Sequence, residues 1–457
     1  MKALVMVSGL GIVAMLGEIF RFKKILLPLV IVGLLATMAV NVLDWDTNTA
    51  YFNNMMTYDN FAVVFTSILL LVSVGWFLLA PSFFKTESSM TDHFALVLFA
   101  LAGGIVLNSF SDLTMLFLGI EIVSIPMYVL AGSKKTDLRS SESAMKYFLM
   151  GAFATSLLLM GVTLVYGAAH SFNLSNIVNY INSNSGSLPI IFHTGILLIL
   201  AGLAFKVSAF PFHFWAPDVY DGAPTVVTAL MATLVKVASL AAFYRLFATC
   251  FVYADSYWTD VLWIISAFTI LIGNLTALYQ KDLKRMLAYS SVSHAGYVLF
   301  AILALNEFSA PSLMYYSIAY SVATLAAFTV LVILANYAGN THIESLKGFA
   351  RNNPLPALTM VVAMLSLAGI PPLAGFFAKY YLFTAALQSQ YFILVLLAVL
   401  GTIIGVYYYF RAMVTMFQGD GEVPKLSISG THIALMLLCL IGTLALGIMP
   451  GLLMGLL

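Results

Sequence analysis

Charged residues are scarce in this sequence. They make up 9% of the 457 residues, whereas hydrophobic residues make up 62%. An ordinary soluble domain has about 25% charged residues, so this composition excludes a water-soluble globular protein. The formal net charge is only +1 and no basic tail is present, so we expect no nucleic-acid partner. The sequence is therefore that of a polytopic membrane protein, whose surroundings are the lipid bilayer.

Cysteine and cofactor motifs are also lacking. The two cysteines, Cys250 and Cys439, lie far apart in apolar surroundings, and no spacing suggests a metal or iron–sulfur site. There is no Walker loop, no dinucleotide-binding glycine fingerprint after a strand, and no histidine pair placed to ligate haem. We therefore expect no metal, cofactor or redox centre in this chain. Energy for any pumping must come from a partner or an existing ion gradient.

Long apolar runs, separated by short polar or Gly/Pro segments, fill the chain. Backbone groups in lipid must be hydrogen-bonded internally, and the runs are too continuous for barrel strands of about 10 residues. We predict an all-α polytopic fold of about fourteen transmembrane helices of roughly 20 residues each. The first run is predicted to be a span and not a removable signal. The runs lie at 3–20, 25–43, 60–80, 93–110, 113–132, 144–168, 190–210, 223–250, 258–279, 285–306, 311–338, 354–387, 391–417 and 431–455.

The basic residues predict how these spans are oriented. Even-numbered connections carry no lysine or arginine, and the connection between spans two and three carries Asp44, Asp46 and Asp59. The odd-numbered connections are therefore predicted to be cytoplasmic, which leaves both termini outside. The basic residues of the odd-numbered connections are Arg21, Lys23, Lys24, Lys85, Lys134, Lys135, Arg139, Lys281, Lys284, Arg285, Lys347, Arg351, Arg411 and Lys425.

Three lysines lie inside apolar spans: Lys206, Lys236 and Lys379. A lysine at the bilayer centre costs roughly 2.5–3.5 kcal/mol, so each one indicates a function. Pro211 follows Lys206, and Pro372 precedes Lys379. Because proline removes a helix hydrogen bond and frees carbonyls that can orient an ammonium, spans seven and twelve are predicted to be broken helices.

Two further ionisable residues complete the candidate site. Glu121 in the fifth span is predicted to be the partner of Lys206, since neither charge is stable alone in hydrocarbon. His294 titrates near neutral pH, which suits a relay, although it could instead be bonded to a neighbouring serine. Lys284 could be a relay residue or a topology charge. The candidate proton relay is Glu121, Lys206, Lys236, His294 and Lys379, bridged by serines, tyrosines and waters.

An internal repeat is also visible. Span seven carries Lys206 and Pro211, and span eight ends in FYR at Arg245; span twelve carries Pro372 and Lys379, and span thirteen ends in YFR at Arg411. Two units offset by five spans have opposite topology, as in transporters with inverted repeats. We predict a single integral membrane domain over 1–457. Its predicted parts are helices 1–3 at 1–90, a first inverted five-helix repeat at 91–250, a second at 258–417 and a last helix at 431–457.

At these residues the chain resembles the antiporter-like membrane subunits of respiratory complex I, the NADH–quinone oxidoreductase of bacteria. The Glu121 helix and the segment SSESAMKYFLMGAF match this family, in addition to three main motifs. Three types of these subunits, N, L and M, are similar to this chain. Lys379 favours the N or L type, because the M type has glutamate at that position. The L type continues into a long lateral helix after the bundle, whereas this sequence stops at Leu457, so the N type is expected. The main matching motifs are FKVSAFPFHFWAPDVYDGAPT, QKDLKRMLAYSSVSHAGY and GIPPLAGFFAKYYLF.

The resemblance implies a proton-translocating, non-redox subunit in the bacterial inner membrane, with both termini periplasmic. It implies neighbouring antiporter-like and small membrane subunits as partners, and it leaves NADH, FMN, Fe–S clusters and quinone to partner subunits. The family's functional residues carry over onto Glu121, Lys206, Lys236 and Lys379, with His294 between the halves. Two alternatives stay open: a subunit of a multi-subunit sodium/proton antiporter, and a non-conducting scaffold that keeps the charges as structural pairs.

Overall fold

The computed structural model describes residues 1–20, 23–84, 90–184, 187–419 and 423–457. Helices dominate these residues, which confirms the predicted all-α class. Two short strands, β1 (Thr49–Tyr51) and β2 (Met56–Tyr58), form an antiparallel hairpin before the third helix. The helices are α1 Lys2–Ile19, α2 Lys23–Val42, α3 Asn60–Leu79, α4 Met90–Ser109, α5 Leu113–Ala131, α6 Leu138–Ala169, α7 Leu174–Ser183, α8 Ile190–Lys206, α9 Trp215–Gly222, α10 Thr225–Leu230, α11 Lys236–Thr249, α12 Thr259–Leu278, α13 Leu283–Ala304, α14 Ser309–Ala338, α15 Phe349–Asn352, α16 Pro354–Ala368, α17 Ala374–Gln388, α18 Phe392–Phe417, α19 Gly430–Ile448 and α20 Gly451–Met454.

Twelve helices in the described part of the chain are long and apolar enough to cross a membrane, counting Thr225–Thr249 as one. Predicted spans seven and twelve contain the shorter apolar helices α8 and α16. Each of these is followed by a break and a second helix, as predicted. Because α8 and α16 are too short to span alone, the count of fourteen spans stays a prediction.

Proline is present in both breaks. α8 ends at Lys206 and the chain resumes as α9, and Phe210-Pro211 between them is a cis peptide. α16 ends at Ala368 and α17 follows, with a cis peptide at Pro371-Pro372. Proline cannot donate a backbone hydrogen bond and clashes with the preceding turn, so it disfavours a continuous helix at both places.

The described residues form two compact units. The first contains Met1–Val74, the described part of Thr86–Trp215, and Leu234–Ile264; the second contains the described part of Gly75–Lys85, Ala216–Thr233, and Ile265–Leu457. In the first unit α4 packs against α1, α5 and α11, and α6 packs against α8. In the second, α14 packs against α16, α17 and α19. The predicted repeats at 91–250 and 258–417 are defined by similarity between two parts of the sequence, whereas these units are defined by contacts in the structure. The repeat bounds therefore stay a prediction.

One backbone arrangement occurs within each unit. An aspartate caps the second helix of the bundle, and the residues around it pair with the segment after the third helix. This recurrence agrees with the predicted internal repeat, whose inversion stays a prediction. The amide–carbonyl pairs are Leu113 to Phe172 and Leu174 to Ser111 in the first unit, and Leu283 to Thr341 and Ile343 to Lys281 in the second.

Candidate functional site

Lys206 lies at a helix end inside the first unit. It is the last residue of α8 and only 6% exposed. Its Nζ donates to Ser124 Oγ at 2.8 Å and lies 3.5 Å from the Tyr128 hydroxyl oxygen, both on α5. The carboxyl end of a helix carries partial negative charge, so an ammonium is stabilised there. The break after α8 therefore supplies part of the compensation for this charge.

Glu121 lies on the same face of α5, one turn before Ser124. Glu121 is the predicted partner of Lys206, and in this structure no carboxylate oxygen of the described residues lies within 4.0 Å of the Lys206 ammonium. Glu121 Oε1 is buried without a hydrogen-bond partner.

Aromatic rings surround the Lys206 ammonium. The Tyr128 ring centroid lies 5.9 Å from Nζ and 4.7 Å from that of Tyr147, which stacks on Trp215 at 4.6 Å. Gly151 permits this arrangement, because a Cβ there would lie 2.2 Å from the Tyr128 hydroxyl oxygen. The rings exclude bulk water while leaving one hydroxyl beside the charge.

Lys236 also belongs to the first unit and is 3% exposed. It is the first residue of α11 and directly follows a π turn at Met231–Val235. Such π turns inside α-helices are frequent at functional sites. The sequence predicted the depth of this lysine, whereas the π turn gave no sequence signal.

His294 lies on α13 in the second unit and is 5% exposed. Its Nδ1 is 2.5 Å from the Tyr316 hydroxyl oxygen, and its Nε2 is 3.1 Å from that of Tyr409. The Tyr409 hydroxyl in turn shares a hydrogen bond with the Ser290 hydroxyl. Both ring nitrogens therefore contact groups that can donate or accept a proton.

Lys379 lies on α17 and is 6% exposed. Its Nζ donates to the carbonyls of Leu367 and Ala368, at 3.1 and 3.0 Å, at the end of α16. Gly369 follows with φ +85°, and a Cβ there would lie 3.1 Å from Lys379 Cδ. The broken helix therefore frees the carbonyls that hold this ammonium.

Tyr297 connects the two candidate residues of the second unit. Its ring centroid lies 5.1 Å from Lys379 Nζ and 5.9 Å from the His294 ring centroid. A cavity of about 10 Å³, the scale of one water, is lined by His294, Ser366, Leu367 and other residues. The Tyr297 ring therefore lies beside both His294 and Lys379, and the water-sized cavity is lined by His294 and by Leu367, whose carbonyl binds Lys379.

Lys284, whose role the sequence left open, is buried at 5% exposure. Its Nζ donates to the carbonyls of Asp221 and Ala223, at 2.8 and 2.5 Å, at the end of α9. The adjacent Arg285 binds the Asp218 carboxylate at 3.0 Å. Lys284 is therefore not a solvent-exposed lysine of the connection between two spans. Two other basic residues used to predict the orientation, Arg21 and Lys85, lie outside the described residues.

The sequence predicted that serines and tyrosines bridge the charges, but it did not show which of them do. Ser124 and Tyr128 follow Glu121 by three and seven residues, a helical spacing that could have indicated them. The partners of His294 come from distant helices, so no local pattern could have indicated them. The hydroxyl-bearing residues are Ser124, Tyr128, Tyr297, Tyr316 and Tyr409.

A family model for the transmembrane region of NADH:quinone oxidoreductase and Mrp antiporter subunits matches residues 111–405. This stretch contains all five candidate relay residues. The chain belongs to the NADH:quinone oxidoreductase/Mrp antiporter family. Its apolar helices and this membership make it a multi-pass membrane protein.

Relatives of this antiporter-like chain cover its full length. NADH-quinone oxidoreductase subunit N from Cytophaga hutchinsonii is 42% identical over 93% of this chain and 92% of that protein. A chain of respiratory complex I from Thermus thermophilus is 32% identical, with a TM-score of 0.84, covering 99% of this chain and 98% of that one. A chain of the Mrp complex from Dietzia sp. DQ12-45-1b has a TM-score of 0.89 at 22% identity, covering 100% and 95%. The last likeness concerns the fold alone.

Proposed function

We propose that this chain is a proton-translocating membrane subunit of NADH-quinone oxidoreductase, without a redox centre of its own. The subunit N relatives support membership in that complex. The proton relay is supported by the surroundings of two buried ammonium groups. Lys206 binds hydroxyls and Lys379 binds backbone carbonyls. Within the described residues, neither has a carboxylate within 4.0 Å.

This arrangement favours proton transfer over a structural role. Each buried ammonium costs roughly 2.5–3.5 kcal/mol, and neutral acceptors compensate that cost less than a direct ion pair would. A lysine in such surroundings can release its proton, whereas a tightly paired lysine holds it. Movement of the Lys206 ammonium toward Glu121 would favour the charged form, so this pair is the proposed switch.

The proposed path runs from Glu121 and Lys206 to Lys236 and on to His294 and Lys379. In the second unit, the tyrosine hydroxyls and the water-sized cavity at His294 support proton transfer to and from the histidine, and the Tyr297 ring lies beside both the histidine and Lys379. Quinone reduction in partner subunits would supply the energy. NADH, FMN, Fe–S clusters and quinone would bind there, and the neighbours would be other membrane-arm subunits. The path would lie in the bacterial inner membrane, with both termini periplasmic.

A sodium/proton antiporter subunit is the second candidate. The chain of the Mrp complex has the same fold as this chain, so the fold is compatible with this function. At 22% identity, the similarity supports the fold alone. The two candidates differ in what they respond to. Turnover that is driven by NADH and unaffected by replacing sodium with potassium supports the first, and sodium-dependent proton exchange without NADH supports the second.

The decisive experiment replaces Lys236 in the assembled complex. Lys236→Ala removes the buried acceptor that follows Glu121 and Lys206 in the proposed path, so NADH-driven proton uptake in proteoliposomes should fall sharply. Lys135→Ala, which changes an exposed lysine, is the matched control and should pump normally. Native gels and subunit composition establish assembly of both variants. Unchanged proton uptake in an assembled Lys236→Ala complex would falsify the relay.

A further inference from the structure

The β1–β2 hairpin packs against the turn between α4 and α5 within the first unit. Met56 and Phe110 form an antiparallel bridge, and the Ser111 amide donates to the Met55 carbonyl at 2.9 Å. The Ser111 hydroxyl also donates to Thr57 Oγ1 at 2.6 Å. These contacts define one end of the first unit, referred to below as the hairpin end.

Arg245, near the end of α11, joins the hairpin to this turn. Its Nε donates to the Phe110 carbonyl at 2.8 Å, and its Nη1 and Nη2 bind the two Asp59 carboxylate oxygens at 3.0 and 2.9 Å. Nη2 also lies 3.3 Å from the Thr57 carbonyl oxygen. The side chain is 6% exposed. All three guanidinium nitrogens are therefore held in a fixed position.

A buried polar group lies between this arginine and Lys236. α4 packs against α11, and a Cβ at Gly104 would lie 3.5 Å from that of Ala238. Asn108 is one turn beyond Gly104, and both of its amide atoms are buried without a hydrogen-bond partner. Buried amides in native proteins are nearly always bonded to protein or ordered water. Asn108 thus marks a position for water along the roughly 13.5 Å of α11 that separates Lys236 from Arg245.

We propose that Arg245 is a plug that closes the hairpin end of the first unit to hydrated protons. A path of water from Lys236 past Asn108 would otherwise reach the surface at Asp59, which is 32% exposed. Arg245 is paired with Asp59, but its guanidinium is held in place and cannot release or take up a proton, so it interrupts a chain of water. The proposal rests on the proposed function, because a plug matters only if Lys236 carries protons.

The second unit contains a corresponding arginine. Arg411 on α18 donates from Nη1 to the Leu278 carbonyl at 3.0 Å and from Nη2 to the Gln280 carbonyl. These carbonyls lie at the end of α12 and in the turn that leads to α13, as Phe110 lies in the turn between α4 and α5. Each unit therefore contains an arginine that binds backbone carbonyls at such a junction.

The test measures proton leakage without turnover. The complex carrying Arg245→Gln is reconstituted in vesicles with an internal pH dye, and a potassium gradient with valinomycin drives proton entry in the absence of NADH. We expect a several-fold faster proton entry than in the wild type. NADH–quinone electron transfer with an uncoupler should be unchanged. Arg139→Gln, at an exposed arginine of the same unit, should not leak.

A second variant distinguishes a plug from a structural clamp. Adding Lys236→Met to Arg245→Gln should abolish the leak, since the path then lacks its proton carrier. A leak that persists in the double variant would overturn the plug. Wild-type proton permeability of the assembled Arg245→Gln complex would also overturn it. Because protons enter without NADH, this result is independent of whether the complex pumps.

If Arg245→Gln does not assemble, Asn108→Cys tests the plug with Arg245 intact. We expect this cysteine to be protected from a membrane-impermeant thiol reagent on both sides of the membrane. Modification from the side of the hairpin end would overturn the proposal.

Discussion

At the scale of single residues, the buried lysines differ in the chemistry of their acceptors. Lys206 contacts hydroxyl groups, which both accept and donate hydrogen bonds. Lys379 and Lys284 contact backbone carbonyls, which only accept. A hydroxyl beside an ammonium can itself pass a proton onward, whereas a carbonyl orients the ammonium and leaves another group, such as a water, to receive the proton. Lys206 is therefore suited to exchange, and Lys284 is suited to hold α9 in place.

Ser124 is the residue whose replacement tests this distinction. Ser124→Ala removes the acceptor at 2.8 Å from Lys206 Nζ, and hydrogen bonds to charged groups contribute about 1.5–3 kcal/mol. We expect NADH-driven pumping and quinone-linked turnover to fall together, because the ammonium loses the position from which it reaches Glu121. Both rates are measured on the same proteoliposomes.

Two variants complete the Ser124 experiment. Ser124→Thr keeps a hydroxyl and should restore most of the activity. Ser156→Ala removes an exposed α6 hydroxyl that bonds only its own helix, and it should have no effect. Equal activity of Ser124→Ala and the wild type would show that Lys206 does not depend on this hydroxyl.

At the scale of elements, the break between α16 and α17 forms the Lys379 site. The α16 carbonyls at the break have no helical successors to bond, and they accept hydrogen bonds from the ammonium instead. Ser366 Oγ accepts the Gly375 amide at 3.1 Å, so the two half-helices are joined directly. Any substitution that forces them apart should disturb Lys379 before it disturbs the rest of the unit.

Gly369→Ala tests that dependence. A left-handed backbone costs a non-glycine residue roughly 1–2 kcal/mol, and the new Cβ would also press on Lys379 Cδ at 3.1 Å. We expect a lower melting temperature of the complex and a loss of proton pumping.

Gly339→Ala is the matched control for this substitution. Gly339 has φ +68°, and nothing lies within 4 Å of a Cβ there. It therefore shares the backbone strain but lacks the contact with a relay residue, and only its melting temperature should fall. Equal loss of pumping in both variants would attribute the effect to strain alone.

At the scale of the whole molecule, the distribution of charge predicts the orientation. Lysine and arginine are confined to alternate connections, and such residues stay on the cytoplasmic side. The connection after α5 is therefore predicted to face the cytoplasm and the β1–β2 hairpin the periplasm. This orientation also decides which compartment the proposed Arg245 plug closes off.

Cysteine labelling checks the orientation. Lys135→Cys and Ala50→Cys place thiols on exposed residues of these two connections. An impermeant reagent added to right-side-out cells should modify Ala50→Cys only, and inverted vesicles should give the opposite result. Background is low, because Cys250 and Cys439 are buried. Modification of both from one side would refute the predicted topology.

The sequence by itself determined the class of the fold, the positions of the apolar helices and the two breaks. These features follow from local composition, since a long apolar run must satisfy its backbone internally and the prolines near Lys206 and Lys379 disfavour a continuous helix there. Proline alone is not sufficient, because Pro28 and Pro126 lie inside the continuous helices α2 and α5. The buried lysines were also evident, because a charge in an apolar run is visible without knowing its neighbours.

Only the tertiary structure decided which groups meet these charges. It placed Ser124 and Tyr128 at Lys206 and put tyrosines on both nitrogens of His294. It also turned Lys284 toward backbone carbonyls. These contacts join residues tens to more than a hundred positions apart, and they depend on packing angles and on local departures such as the π turn before Lys236. A linear pattern shows that a charge is buried, and the packed helices determine what compensates it.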